Sequence, residues 1–254
     1  MQRNPLISII TVCFNAEDFI EQCIQSVISQ KFEDFEYIVI DGGSTDKTTD
    51  IITKYEAELS YWHSQPDRGI SHAFNQGIKK ATGDWIVFLN ADDCYLDSQV
   101  LSTIEATLRK SGTMDLVYGQ VQIVKRQSSI VPISPVVGEA WDWKDFRLRS
   151  TIPHPSAFTH KHFFERYGVF DESFRNALDY ELYLRAGRSL KTVFVPTLLT
   201  WMRDGGMSKN DAYRSYRESK KAQLKNGALN KVTAWTVYVV YAVRLFISQL
   251  VRRS

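Results

Sequence analysis

Two adjacent carboxylates, Asp92 and Asp93, end an apolar run, Ile86-Val-Phe-Leu-Asn-Ala-Asp-Asp93. Short apolar runs read as buried strands, and charges at the end of one belong at the mouth of a sheet, where ligands bind. Side by side, the two acids repel unless a cation or hydrogen-bond donors compensate them. Hard oxygen ligands of this kind suggest Mg²⁺ or Mn²⁺, an ion that commonly carries a phosphate. Taken alone, an Asp-Asp pair is commoner as a solvated turn. Three other apolar runs end in polar groups that the same topology brings to one rim: Thr11 and Asn15, Asp41 with Gly42-Gly43, and the turn Asp67-Arg68-Gly69. No Gly-x-x-x-x-Gly-Lys and no Gly-x-Gly-x-x-Gly follows the first run, so this acidic crevice resembles neither a P-loop nor a dinucleotide site. Phosphates would need a metal there, and Asp41 could accept a hydrogen bond from a base ring. Read alone, Asp41-Gly-Gly-Ser-Thr is a turn with a helix cap.

The elements that position these groups alternate. Leu6 to Phe14 is a β-rich apolar run, followed by Phe19, Ile20, Cys23, Ile24, Val27 and Ile28 at helical spacing. Phe35 to Ile40, Leu59 to Ser64 and Trp85 to Leu89 read as strands, with helices over Thr45–Tyr55 and Ile70–Ala81 between them. This order predicts an α/β fold with a mainly parallel, right-handed, doubly wound sheet flanked by helices. Beyond the acidic pair the pattern predicts a helix over Val100–Lys110, a strand over Leu116–Val124, and a loop or irregular edge from Ser128 to Gly138. Short helices follow over His160–Tyr167 and Tyr180–Ala186, with strand-like pieces at Thr192–Val195 and Leu198–Met202.

The charge is divided unevenly. From Lys209 to the end there are ten Lys and Arg against two acids, which leaves 21 of 31 basic and 27 of 29 acidic residues for the body. A mildly acidic body with a basic tail suggests an anionic partner for the tail. Within it, Val232 to Leu250 is apolar but carries Arg244, Thr233, Thr236, Ser248 and Gln249, which disfavours a membrane span. An in-plane helix beside anionic lipid, with Arg252 and Arg253 at the headgroups, fits better; packing on the protein's own core or on a second subunit is the alternative. The three cysteines, Cys13, Cys23 and Cys94, show no disulfide or zinc spacing, which fits a reducing compartment. Met1 to Pro5 runs into a strand without an apolar leader.

Five motifs in order resemble the family 2 inverting glycosyltransferases. They are Ile9-Ile-Thr-Val-Cys-Phe-Asn15, Val39-Ile-Asp-Gly-Gly-Ser-Thr-Asp46, Asp67-Arg-Gly-Ile70 with Asn75-Gln-Gly77, Thr82-Gly-Asp84, and Leu89-Asn-Ala-Asp-Asp93. The resemblance runs from residue 5 to about 208, and bacterial enzymes of polysaccharide, O-antigen and lipid-linked glycan assembly are the most similar members. It implies a GT-A catalytic domain over 1–208, with a nucleotide-sugar half (1–110) and an acceptor half (111–208), and a C-terminal helical extension over 209–254. Thr11 and Asp41 would contact the nucleobase, with Asn15 and Asn75 also on the donor, and Asp67 and Arg68 beside it. Asp93 would ligate the metal, joined by Asp92, which also faces ribose or sugar. Asn90 stands where the family has its first Asp and could still bond ribose.

Asn176-Ala-Leu-Asp-Tyr-Glu-Leu-Tyr-Leu-Arg185 resembles the segment that carries the catalytic base, which places Asp179 in that role at a helix start that favours an ionised carboxylate. Glu181 and Asp171 are the next candidates. His154, in Ile152-Pro-His-Pro-Ser-Ala-Phe158, would meet diphosphate or acceptor. Arg203 and Ser208 would touch phosphate from a loop that closes on the donor, and Gly205-Gly206 supplies no His ligand there. The implied reaction moves a sugar from a nucleotide-diphosphate donor, a UDP-sugar first among candidates, to a lipid-linked or growing glycan acceptor. It would run with Mn²⁺ or Mg²⁺ on the cytoplasmic face of the membrane, with a homodimer possible and no nucleic acid involved. A sugar-nucleotide pyrophosphorylase would need a Gly-rich basic loop where Cys13-Phe-Asn-Ala-Glu17 stands. A nucleophilic-Asp phosphatase would need a second Asp near Asp41. A non-catalytic subunit that binds sugar nucleotides is the remaining alternative.

Overall fold

The computed structural model describes residues 4–127, 129–205 and 211–251. Its first half follows the apolar periodicity closely: β1 (Ile7–Cys13), α1 (Ile20–Ile28), β2 (Phe35–Asp41), α2 (Thr48–Lys54), β3 (Tyr61–Ser64), α3 (Ile70–Lys80) and β4 (Trp85–Phe88). These strands are parallel in the order β3-β2-β1-β4. The chain therefore winds one way from β1 to β3 and then returns to the other side of β1. The crevice outside β1 and β4 is the point where strand order reverses, the usual ligand position in an open α/β sheet. Asn15 follows β1 there and the acidic turn follows β4.

The second half brings in the antiparallel strands that leave the sheet mainly parallel, as expected. After β5 (Cys94–Tyr95), α4 (Val100–Lys110) and β6 (Leu116–Val124) come β7 (Pro132–Val137), α5 (Trp143–Phe146), β8 (Ala157–His160), α6 (Lys161–Tyr167), α7 (Leu178–Leu184) and β9 (Thr192–Arg203). β8 lies antiparallel between β4 and β6, so the sheet is mainly parallel with a reversed strand inserted at its centre. β9 runs parallel to β6 and ends beside β5. Among the described residues nine strands form one sheet.

The segment expected as a loop or irregular edge contains β7, an antiparallel edge strand on β6 with a register shift between Gln122 and Val124. An edge tolerates Pro132 and Pro135 because no inner neighbour needs their missing N–H groups. The two strand-like pieces near Pro196 are one continuous β9, which passes the proline through register shifts opposite Tyr118 to Val121.

Helices cover both faces. Ile9, Val39, Val87 and Leu89 pack under α1 and α4, while Ile10, Ile38, Phe88 and Tyr118 pack against α3, α6 and α7. At the C-terminus α8 (Ala212–Lys225) lies on α7, and α9 (Lys231–Val251) lies on α8. The Tyr216 and Tyr241 rings stack at 5.4 Å between those two helices, and Ala222 and Ala234 are fully buried. Away from that seam α9 exposes Val239, Val243, Phe246 and Ile247, while half-exposed Trp235 carries the Lys220 ammonium of α8 over its ring at 3.3 Å. No described helix is long and apolar enough to cross a membrane.

The approach of α3 to the sheet is close enough to test. A Cβ on Gly77 would stand 2.4 Å from Ile10 Cγ2, a buried branch with no room to retreat. Gly77→Ala should lose about 1–3 kcal/mol through overpacking, despite its better helix propensity, as read by urea unfolding.

Candidate active site

After β4 the chain turns through Asn90-Ala-Asp-Asp93, with Asp93 N donating to the Asn90 carbonyl at 2.9 Å. Asp93 is only 2% exposed and accepts from Arg203 N and from Asn90 Nδ2, each at 3.1 Å. Burial, then the charge of Asp92, pushes the Asp93 pKa well above the ordinary carboxylate range. Asn90 Oδ1 is buried without a partner among the described residues. Asp92, half-buried, is ion-paired with Arg126. Buried Arg203 donates to the Gln127 carbonyl at 3.0 Å, to the Asp92 carbonyl and to Gln22 Oε1, with its guanidinium 4.8 Å from the Phe19 ring centre. Arg203 therefore fastens β9, the β6–β7 turn, α1 and the acidic turn into one cluster.

The donor chemistry of this turn fits a hard dication. An under-compensated Asp93, a neighbouring Asp92 and an orphaned Asn90 Oδ1 are the kinds of oxygen that Mg²⁺ and Mn²⁺ take. Among the described residues no three His, Cys, Asp or Glu side chains converge. An ion here would draw its remaining ligands from water and substrate oxygens, as Mg²⁺ usually does.

Along the rim toward β3, Asp41 is fully buried and collects donors. Gly43 N lies at 3.1 Å, Ser44 N at 2.9 Å, Ser64 Oγ at 2.6 Å and Ser44 Oγ at 2.5 Å. Asn15, exposed and left-handed at φ +48°, accepts from Thr45 N at 2.9 Å and ties the loops after β1 and β2 together. Asp67 accepts from Gly69 N at 2.6 Å and lies so close to Gly42 that a Cβ there would be 2.6 Å from its carboxylate. Asn15, Asp41 and Asp67 thus share one stretch of rim. Three predicted donor residues face elsewhere. Thr11 is buried against the Tyr37 hydroxyl at 3.0 Å, and Asn75 makes two 3.0 Å bonds with the Phe170 backbone. Arg68 points outward to Glu172 at 2.8 Å. Ser208 lies outside the described residues.

The acceptor half contributes His154 and Asp179. The His154 ring stacks on Phe88 at 5.4 Å and 9°, and neither ring nitrogen has a partner among the described residues. Burial lowers its pKa, opposed by the charge of Asp179, so the imidazole is neutral at pH 7 and lies within electrostatic reach of that carboxylate. Asp179, half-buried in the first turn of α7, accepts no hydrogen bond among the described residues. Its two rivals are engaged. Lys225 bonds both Asp171 and Glu181 at 2.7 Å, and Arg185 reaches Glu181 at 2.6 Å. Burial would raise both pKa values, but these ion pairs outweigh it and hold both carboxylates below their usual range.

Two residues of this region carry no local signal in the sequence. Arg126 belongs to the β6–β7 turn, and Glu218 sits on α8. Glu218 accepts from the backbone N–H groups of Arg175, Asn176 and Ala177 at 2.9, 2.7 and 3.1 Å and from Arg214 Nε at 3.0 Å. It caps the entry to α7 from another helix and so fixes where Asp179 begins. Only long-range contacts reveal either residue.

The comparisons with known proteins bear on this geometry. The model of the family described as Glycosyl transferase family 2 matches residues 8–174, two thirds of the chain. The chain belongs to that family. A PGL/p-HBAD biosynthesis glycosyltransferase of Mycobacterium bovis is 30% identical over 184 residues, which covers 71% of this chain and 69% of the relative. An uncharacterized glycosyltransferase of Rickettsia typhi is 26% identical over 240 residues, covering 91% and 73%. Staphylococcus aureus TarS in complex with UDP-GlcNAc superimposes with a TM-score of 0.67 at 18% identity, covering 94% of this chain and 72% of that one. The mannosyltransferase PcManGT of Pyrobaculum calidifontis, in complex with GDP-Man and Mn²⁺, gives 0.62 at 17%, covering 95% and 75%. This protein is a glycosyltransferase with the GT-A fold.

Glu218 yields a pH-dependent prediction. Burial alone would raise its pKa, but three backbone N–H groups and Arg214 lower it below the ordinary value. Such a group stabilises the fold above the unfolded pKa of about 4.3, and that stability is lost as pH falls through the lower folded value. Glu218→Gln should cost about 1–3 kcal/mol at pH 7, with the gap to wild type narrowing below about pH 4. Urea unfolding at the two pH values measures it.

Proposed function

We propose that this glycosyltransferase inverts the anomeric centre of a nucleotide-diphosphate sugar, with Asp179 as general base. The observation that carries this reading is the division of charge around α7, where Asp171 and Glu181 are neutralised by Lys225 and Arg185 and Asp179 is left to accept a proton. Asp179 would take the acceptor hydroxyl's proton as that oxygen attacks the anomeric carbon from the face opposite the leaving group. The bonding pair departs with the diphosphate. Asp92 and Asp93, with Asn90 Oδ1, would hold a Mn²⁺ or Mg²⁺, which supplies charge neutralisation to that leaving group. Ser208, and Arg203 through the turn it braces, would serve the diphosphate end, while Asn15, Asp41 and Asp67 shape the nucleotide end of the rim. Thr11 and Asn75, bonded to Tyr37 and Phe170, would brace the elements behind that rim, and Arg68 its outer side. Residues 1–110 would then serve the donor and 111–208 the acceptor. Support for a UDP-sugar comes from the UDP-GlcNAc complex of TarS, and support for a metal from the Mn²⁺ complex of PcManGT.

The acceptor we assign to this site is a lipid-linked or growing glycan, used on the cytoplasmic face of a membrane. The apolar face of α9, with Lys231 and Arg244 on the same helix, has the composition of a helix that lies in an anionic interface. The same face could join two copies of the chain.

Asp179→Asn should lower transfer by about 10²- to 10⁴-fold. Nucleotide affinity should stay within about twofold, because Asn keeps the shape and an acceptor. NMR of the wild-type product should show the anomeric configuration reversed relative to the donor. Retained configuration, or full activity in the variant, would defeat this reading. A second experiment addresses α9. Val239 and Val243 are 49% and 50% exposed, so replacing both by Asp leaves the packed face intact. The variant should fail to sediment with phosphatidylglycerol vesicles that retain wild type. Loss of a dimer in light scattering, with no vesicle binding by wild type, would assign the face to self-association.

A further inference from the structure

Among the described residues, Arg126 is the cation at the acidic turn that has no role in the reaction as described. Its Nη1 is ion-paired with Asp92 Oδ2, and its guanidinium carbon lies 4.8 Å from the centre of the Phe19 ring, as far as that of Arg203. The two arginines are otherwise unlike. Arg203 is buried and committed to three protein acceptors, whereas the Arg126 side chain is 43% exposed and binds no acceptor but Asp92 among the described residues. Its stem also passes the end of β9, where a Cβ on Gly205 would stand 3.5 Å from Arg126 Cδ. Arg126 therefore lies between the acidic turn and the segment that leaves β9.

This position creates a competition. A guanidinium and a dication cannot both occupy the outer oxygen of Asp92, because each is positive and each needs that oxygen. The competition matters more here than it would with three acids, since Asn90 contributes no charge and the turn itself offers a cation two carboxylates, Asp92 and Asp93. A nucleotide diphosphate arriving with the ion brings negative oxygens whose geometry a guanidinium matches with paired N–H donors. We propose that Arg126 is an exchangeable counter-ion. It holds Asp92 in the free enzyme, yields it to the divalent cation, and passes to the donor's diphosphate. This rests on the metal-and-nucleotide reading of the site given above. Phe19 gives the guanidinium a ring face on which to pivot, since planar stacking persists while its hydrogen-bond partner changes.

The test uses the full chain, with Mn²⁺ alone and then with nucleotide. Titration of free Mn²⁺ by electron paramagnetic resonance should show Arg126→Gln binding the ion about three- to tenfold more tightly than wild type, because a competing charge is gone. Calorimetry with UDP and with GDP at saturating Mn²⁺ should show the tighter of the two binding about tenfold more weakly to the variant. A merely structural arginine would weaken both ligands, so the opposed signs are the signature. Arg126→Lys, which keeps the charge but not the fork, should fall between the two proteins in both assays. Should wild type bind Mn²⁺ and nucleotide while Arg126→Gln binds Mn²⁺ no more tightly, the counter-ion role fails and the metal reading stands. Unchanged nucleotide affinity defeats the transfer to diphosphate. Mn²⁺ bound by neither protein overturns this proposal together with the metal reading.

Discussion

Two like charges at the end of a buried strand are the constraint around which this molecule is arranged. Asp93 lies where water cannot solvate it, so its anion depends on donors and cations brought from elsewhere in the chain. One of them is Arg203, the last residue of β9 and 110 positions away in sequence, whose backbone N–H donates to Asp93 at 3.1 Å. Reaching it requires a strand of twelve residues that passes Pro196 by shifting register and then pairs with β5, where Cys94 faces Trp201. The acidic turn is thereby enclosed between β4 and β5 with β9 alongside. Its position is set by sheet hydrogen bonds instead of by a flexible loop, the condition under which a site holds its geometry.

A second division of charge organises the other wall. The segment from Asp171 to Arg185 carries Asp171, Glu172, Asp179 and Glu181, enough negative charge to blur which of them could act as a base. Helix α8 divides them into paired and unpaired acids. Lys225 draws Asp171 and Glu181 into ion pairs, and Glu218 fixes the backbone that leads into α7. The basic tail is thus coupled to the site through its first helix, and only α9 presents a free apolar face. A single stretch that looks like an appendage in composition contains two parts with different mechanical roles.

Much of this was legible in the sequence, for identifiable reasons. β1 to β4 and the helices between them follow from periodicity and from turns rich in Gly, Asp and Ser, all local properties. Asp92 and Asp93 stand out because carboxylates at an element end break an apolar pattern, whereas Asp179 stands out only through the family resemblance of its segment. What stayed hidden depends on partners far along the chain. The reversal at β8 could not be read, since four residues paired on both sides look alike in either direction. β7 was obscured by its two prolines, which suit an edge as well as a loop. Thr11 and Asn75 are polar residues inside apolar elements, and such residues suggest ligand contact until a Tyr37 hydroxyl or a Phe170 backbone is found beside them. Arg126 and Glu218 sit among ordinary surface charges, and nothing local separates them from their neighbours.

The protonation state of His154 decides how the proposed base could work. An imidazolium beside Asp179 would pair with it, stabilise its anion and so weaken it as a proton acceptor. The stacking of His154 on Phe88, with Phe74 and Phe170 also within 6.3 Å or less of its ring, prevents this by making the charged ring costly. Burial wins over attraction to Asp179 and the imidazole remains neutral. The aromatic cluster under the cleft thus serves more than packing: by excluding water from one ring it keeps that ring from carrying a positive charge within electrostatic reach of Asp179. It also leaves two ring nitrogens without partners among the described residues, so a polar group that met either of them would break no existing hydrogen bond there.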